Sequence, residues 1–225
     1  MKTIGIIGGM GWEASALYYQ RINEIVHQRL ANMASAEIVL HSLNNKVAAL
    51  MMYRNQWDQL AELIQVKATQ LETAGAECIA IACNSAHHIA NQLKLDVPLL
   101  HIADAVGEEA KCNNHQSLML LGTKFTCSMD FYARRLESFG VEVKIPSTQQ
   151  IDKIHKFIYT KLKTGDFSSN ASNDFLAICQ ELSTEADGLI LGCTELPLLV
   201  KEETDLVFYD TIELHCQQLA NWSLR

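Results

Sequence analysis

Thr3-Ile4-Gly5-Ile6-Ile7-Gly8-Gly9 opens the chain, and Ser117-Leu118-Met119-Leu120-Leu121-Gly122-Thr123 resumes the pattern 114 positions later. Each is an apolar run of strand length that closes on glycine, without the polar alternation of a half-exposed strand. Runs of that kind are strands buried on both faces, as in parallel sheets covered by helices. After the first run comes Gly8-Gly9-Met10-Gly11, then a helical period over Glu13–Leu30 carried by Ala16, Leu17, Ile22, Ile25, Val26 and Leu30. Further strands are predicted at Ile38–His41, Cys78–Ala82, Leu99–Ile102, Val141–Ile145, Gly188–Leu191 and Leu206–Tyr209. Helices are predicted at Trp57–Ala74, Ser85–Leu93, Ser128–Phe139, Ile151–Leu162, Asp174–Glu185 and Thr211–Trp222, with Gly75 and Gly140 as stop signals. This alternation defines an α/β class.

The two halves resemble each other beyond their openings. ETAGAECIAIACNSAH in the first answers STEADGLILGCTEL in the second. In both, a helix ends in small or acidic residues, an apolar strand follows, and the strand ends in Cys plus Asn or Thr. Cys83 and Cys193 are thus equivalent positions, 110 residues apart. The simplest account is a duplicated doubly wound parallel-sheet domain. The expected division is residues 1–103 with 208–225 in the first domain and 104–207 in the second. No Pro/Gly/Ser-rich linker separates them, so the two are expected to pack closely around a shared cleft.

Composition narrows the possible roles. The chain has 225 residues, 48% hydrophobic and 20% charged, enough to bury a core. Its net charge of −8, from 18 Lys+Arg against 26 Asp+Glu, argues against a nucleic-acid binder, which gains affinity by neutralising phosphates. The apolar runs are strand-length, whereas a membrane-spanning helix needs about 20 residues. The opening passes into glycines and Glu13 too soon for a signal peptide. Seven scattered cysteines, an odd number, fit thiols in a reducing cytoplasm.

Ligands of open α/β sheets bind beyond the carboxyl ends of the strands. Cys83 and Cys193 fall there. A cysteine between a strand and a helix gains amide N–H groups and the positive end of a helix dipole, both of which favour thiolate. Two such cysteines in duplicated positions suggest a matched acid and base. Cys78, Cys112, Cys127, Cys179 and Cys216 read as small core residues, with Cys127 placed in a loop.

IACNSAHH (Ile81–His88) and LGCTELPLL (Leu191–Leu199) resemble the two signatures of the aspartate/glutamate racemase family, and IGIIGGMG (Ile4–Gly11) resembles the start of its aspartate racemase branch. The resemblance implies two pseudo-symmetric α/β domains with the active site between them. It also implies racemisation of an acidic amino acid without pyridoxal phosphate or any other cofactor, and a homodimer. Cys83 and Cys193 would exchange the Cα proton on opposite faces. Asn84, Ser85 and Thr194 would hold the substrate carboxylate and amine, with Met10, Gly11 and Thr123 completing the binding set. Ser85 stands where the family motif has Thr. Aspartate-specific relatives hold the side-chain carboxylate with a Lys, matched by Lys163 in YTKLKTG, and with an Arg that has no counterpart in register, Lys46 and Arg54 being nearby. Trp12 replaces the usual Pro of the glycine loop and could line the pocket. Glutamate and broad-specificity racemases of the same family remain alternatives.

Two further motifs carry other readings. Gly9-Met10-Gly11-Trp12-Glu13-Ala14 has the dinucleotide fingerprint between strand and helix, which would make an oxidoreductase. The second strand, ending VLHS, lacks the acidic residue that would hold a ribose. Cys83 and His87 sit one helical turn apart, but His88 cannot share their face and a metal needs three or four ligands, so no metal site is expected. His101 reads as a hydrogen-bonded core or rim residue. A small-ligand binding protein of two lobes would need neither thiol.

Overall fold

The computed structural model describes residues 1–200 and 204–225, apart from the side chain of Lys163. The elements in order are β1 (Ile4–Gly8), α1 (Trp12–Leu30), β2 (Ile38–Ser42), α2 (Asn45–Tyr53), α3 (Trp57–Thr73), β3 (Cys78–Ile81), a 3₁₀ helix (Ser85–Gln92), α4 (Ile102–Cys112) and β4 (Ser117–Leu121). Then follow α5 (Lys124–Cys127), α6 (Phe131–Glu137), β5 (Glu142–Lys144), α7 (Thr148–Thr160), a 3₁₀ turn (Leu162–Thr164), α8 (Ser169–Ser183), β6 (Gly188–Leu191), a 3₁₀ helix (Leu196–Leu199), β7 (Phe208–Asp210) and α9 (Thr211–Ser223). The chain divides into two units, Met1–Ile102 with Ile212–Arg225, and Ala103–Thr211.

The first unit holds a parallel sheet of order β2-β1-β3. Its residues alternate between two apolar clusters, as the period of two in a strand requires. Ile4, Ile6, Cys78 and Ala80 meet α1 and α9 through Tyr18, Ile22, Cys216 and Leu219. Ile7, Ile79 and Ile81 meet α2 and α3 through Ala48, Leu60, Ile64 and Ala68. A salt bridge from Arg21 to Glu213, 2.5 Å at its shortest, ties α1 to α9. Leu99, expected to begin a strand, makes a single parallel bridge to Ile79 before the chain enters α4.

The second unit holds a parallel sheet of order β5-β4-β6-β7. The order β5-β4-β6 repeats β2-β1-β3, with the first strand of each half in the middle. β7 pairs with β6 from Leu189↔Phe208 to Leu191↔Asp210, so it stands where Leu99 stands beside Ile79. Met119, Leu121, Leu189 and Leu191 pack on α7 and α8 through Ile154, Ile158, Phe175 and Leu182. Because β7 belongs to this sheet, residues 208–211 go with the second unit, and the chain returns to the first at Ile212 rather than at 208.

Several helices differ from the sequence reading. α2 and α4 are not foreshadowed, because α2 spans only nine residues and α4 follows the Leu99 bridge with almost no linker. The helix expected at Ser128–Phe139 is the shorter α6, and a separate short helix, α5, capped by Thr123, precedes it without being foreshadowed. Ser85–Gln92 is 3₁₀ rather than α-helical.

The glycine turn after β1 is fixed by contact. Gly9 has φ +83°, and a Cβ there would sit 2.1 Å from the Leu43 carbonyl oxygen. Its N–H donates to Ser15 Oγ at 2.7 Å. Gly75 has a similar φ of +92° but open space around it. Gly75→Ala should therefore cost about 1 kcal/mol, the backbone penalty alone. Gly9→Ala should cost about 3 kcal/mol or more, strain plus a clash with backbone. Urea unfolding of the two variants checks this, and equal costs would show that the turn yields.

Candidate active site

In the first unit β1 and β3 are parallel neighbours, so the segments that leave them emerge from one edge of the sheet. Met10 and Gly11 follow β1, and Cys83, Asn84 and Ser85 follow β3. Ala82 N–H still reaches the Ile7 carbonyl at 2.9 Å, and Cys83 N–H folds back on the Ile81 carbonyl at 2.8 Å. Cys83 is half-buried, as is Ser85, and Asn84 is buried. In the second unit Thr123 follows β4, and Cys193 and Thr194 follow β6. Gly192 N–H bonds Leu121 O at 2.7 Å, repeating the Ala82 contact. Thr123 caps α5 by accepting from Thr126 N–H. Lys163 falls in the turn Leu162–Thr164, and its side chain lies outside the described residues; its neighbour Leu162 belongs to the apolar cluster that contains Cys193.

The helix dipole expected behind both cysteines differs between them. Eight residues of 3₁₀ helix follow Cys83, but the helix after Cys193 starts at Leu196 and is one turn long. One turn carries little aligned dipole. Cys193 instead meets a carboxylate. Its thiol donates to Glu195 Oε2 at 3.0 Å, and the Thr194 hydroxyl donates to the same oxygen at 2.8 Å. The sequence reading passed over Glu195, although its place two residues after a candidate acid–base cysteine is a usable signal.

Histidines that suggested metal serve the backbone. Ile102 N–H donates to His87 Nε2 at 3.3 Å, so Nδ1 carries the proton and donates to the Cys83 carbonyl at 2.9 Å. His215 Nε2 donates to Leu100 O at 2.8 Å, and its Nδ1 accepts from the Tyr18 hydroxyl at 2.8 Å. The His87 ring lies 4.5 Å from that of His101 and 5.9 Å from that of His215. All three are buried. The hydrogen bonds of His87 fix it as a neutral imidazole that braces the Cys83 turn, and burial keeps His215 neutral behind it. The four-residue spacing of Cys83 and His87 is thus structural. His88 packs its ring edge-on to Trp57. Among the described residues no group of three His, Cys, Asp or Glu is arranged to hold a metal.

Four of the five remaining cysteines are core; Cys112, expected there too, is exposed. Burial pushes the thiols of Cys78, Cys127 and Cys179 up to about 12. Cys127 lies in α5, not in a loop, and points at Leu120 O. Cys216 is buried in α9, while Cys112 is exposed at the end of α4. The glycines of the dinucleotide-like turn answer to Leu43 and Ser15, and the Gly9 N–H is already committed. Trp12 opens α1 with 68% of its surface exposed, so it fills no space inside its own unit.

Residues 7–219 match the family model described as Asp/Glu/Hydantoin racemase. The chain belongs to this family of isomerases. It is 33% identical to a candidate Asp/Glu racemase from Yersinia pestis, each chain covered in full, with a TM-score of 0.92. An aspartate racemase homologue from Pyrococcus horikoshii is 31% identical, again over both whole chains, with a TM-score of 0.87. The broad-specificity amino-acid racemase RacX of Bacillus subtilis is 26% identical over 86% of this chain and 85% of its own length. Against glutamate racemases such as that of Aquifex pyrophilus, the chain spans about half of their length, 51% in that case. No helix among the described residues is long and apolar enough to cross a membrane.

The buried imidazoles of this racemase-family chain make its stability depend on pH. Burial holds His215 down at about 3, from an ordinary 6.5. The unfolded chain takes up this proton near 6.5 and the folded chain only near 3. Stability from this group is therefore complete above 6.5 and declines as pH falls towards 3, by up to about 1.4 kcal/mol per pH unit. Urea midpoints between pH 6.5 and 5 should fall in the wild type and fall less in His215→Gln, where partly buried His41 and His155 still contribute. An unchanged slope would mean that His215 is protonated in the folded state.

Proposed function

We propose that this chain interconverts the enantiomers of an acidic amino acid, aspartate foremost, with Cys83 and Cys193 as paired acid and base. The observation that carries the reading is the matched position of the two cysteines, each two residues past the third strand of its half, where β5-β4-β6 repeats β2-β1-β3. Racemisation needs one group to take the Cα proton and a second to return one on the other face, with the roles exchanged for the other enantiomer. A duplicated scaffold supplies two such groups. The developing negative charge of the planar intermediate needs fixed donors, for which backbone N–H groups beside each cysteine and the side chains of Asn84, Ser85 and Thr194 are assigned. Met10, Gly11 and Thr123 complete the substrate contacts, and Lys163 binds the distal carboxylate. The chemistry so described draws on no cofactor.

Aspartate is favoured over glutamate by the likeness to an aspartate racemase homologue, 31% identical with a TM-score of 0.87, against 21% and 0.65 for the glutamate racemase of Aquifex pyrophilus. A broad-specificity reading is favoured by the likeness to RacX and by the missing arginine. Chiral chromatography of a panel of L-amino acids, with Cα–H exchange followed by NMR in D₂O, separates the two.

Cys83→Ser and Cys193→Ser should each keep the far-ultraviolet spectrum of the fold and lose racemisation by roughly 10³-fold or more, as for removal of a general acid or base. Near-normal racemisation by either variant would remove the two-base mechanism. Lys163→Ala should raise KM for aspartate well above its effect on an uncharged amino acid, since a charge-assisted contact contributes about 1.5–3 kcal/mol. An equal effect on both would leave Lys163 as an end-of-helix cation and weaken the aspartate assignment.

A further inference from the structure

Thr123 follows β4 and caps α5, and the peptide group that joins it to Lys124 is held at both ends. Its carbonyl accepts from the Cys127 N–H at 3.0 Å, which closes the single turn of α5. Its N–H, the Lys124 amide, donates to Nδ1 of His155 on α7 at 3.2 Å. First-turn N–H groups have no partner within their own helix, and here a side chain of another helix takes one of them. Thr123 Oγ1 accepts from the Thr126 N–H at 3.4 Å. With its hydroxyl capping the turn and the next peptide plane fixed, Thr123 is oriented in part by α7. A Lys124–Asp152 ion pair of 2.6 Å joins the same two helices, but its side chains are 51% and 54% exposed, and such pairs contribute little. The restraint on Thr123 therefore comes mainly from the His155 hydrogen bond.

An imidazole accepts at Nδ1 only when it is neutral, with its proton on Nε2. His155 is half-buried. The titratable groups around it are Lys124 of α5, and Asp152 and Tyr159 of its own helix, with the Phe125 ring 6.5 Å away. Burial, and then the Lys124 charge, hold its ionisation below the ordinary 6.5, against the opposite pull of Asp152. At neutral pH the ring is thus an acceptor. Once protonated it carries a donor on both nitrogens, and the Lys124 N–H is left facing another N–H.

We propose that His155 is a positioning residue, a neutral imidazole that fixes the Thr123–Lys124 peptide so that Thr123 meets the substrate, and that its protonation releases this turn and weakens substrate binding. The role rests on the reading of Thr123 as a substrate contact, and not on either cysteine.

The test compares the wild type with His155→Asn, whose Oδ1 can replace Nδ1 as acceptor but does not titrate, and with His155→Leu, which offers no acceptor. KM and kcat for aspartate are measured from about pH 8 to about pH 5. At the upper end His155→Leu should raise KM about fivefold, the size of one net hydrogen bond, and change kcat less. His155→Asn should restore KM to within about twofold of the wild type. The ratio of wild-type KM to that of His155→Asn cancels the titration of every group the two share. It should stay constant above about pH 7 and rise towards about fivefold as His155 takes up its proton below 6.5. A ratio flat over the whole range, or a KM in His155→Leu equal to that of the wild type, overturns the proposal. If His155→Leu does not fold, the ratio decides alone. In a double-mutant cycle with Thr123→Ala the two effects on KM should fall short of additive, and full additivity overturns the action through Thr123. Hydrogen-exchange protection of the Lys124 amide gives a readout without activity. It should be kept in His155→Asn and lost in His155→Leu, and that order with an unmoved KM overturns the positioning role while leaving the racemase reading intact. A wild type that does not racemise aspartate removes the substrate assignment instead, and the same KM ratio is then read on the amino acid that the chiral panel identifies. A wild type that turns over nothing on that panel overturns both.

Discussion

A parallel strand buried on both faces has no room along its length for a side chain that must meet a substrate. In β1 and β3 every side chain is committed to one of two apolar clusters, and β4 and β6 are buried in the same way. A reactive group can appear only after the last rung of the ladder. Cys83 and Cys193 each sit two residues beyond it, after Ile81 and Leu191. The intervening residue in each case, Ala82 or Gly192, still donates to the central strand. The turn that carries sulfur is thereby anchored to the most rigid part of its unit, which is where a proton-transfer group needs to be held.

The two turns share a backbone plan and differ in what surrounds them. Behind Cys83 lie neutral imidazoles whose hydrogen bonds run to backbone carbonyls and N–H groups. They supply fixed dipoles and shape without net charge, which burial at that depth would penalise. Beside Cys193 lies a carboxylate, which supplies charge. Duplication gives equivalent positions, and the neighbours of the two sulfurs have diverged.

The strands were legible because burial on both faces leaves its mark directly in sequence as runs such as Ile4–Ile7 and Leu118–Leu121. The duplication was legible for the same reason, since the Cys follows the third strand of each half at one spacing. Helices fared worse where length was short or a cap intervened. α2 has Val47, Leu50 and Tyr53 exposed, so its apolar residues mark no single face. The 3₁₀ form of Ser85–Gln92 depends on tertiary contacts that local propensity does not encode. β7 was legible as a strand but not as a member of the second sheet, because its pairing with β6 is a tertiary contact that no local pattern marks. At the site, residue types near each cysteine were visible, but their partners were not. His87 is one helical turn from Cys83 in spacing and so looked like a co-ligand, while in the structure its Nδ1 bonds the cysteine's carbonyl.

Asymmetry between the two turns has a limited reach in the proposed reaction, and thermodynamics sets the limit. Enantiomers have equal free energies in water, so racemisation has an equilibrium constant of one. The ratio of kcat/KM in the two directions must then also be one, whatever the protein does to either cysteine. Glu195 and the buried histidines therefore cannot make the enzyme prefer a product. What they can set is which protonation form waits at rest, how that form divides between the two enantiomers at saturation, and how each direction's kcat and KM trade against each other. In the proposed reaction the surroundings of Cys83 and Cys193 together set how the free enzyme divides between its two protonation forms. Selection for balanced turnover constrains both turns jointly, even though each is built within its own unit.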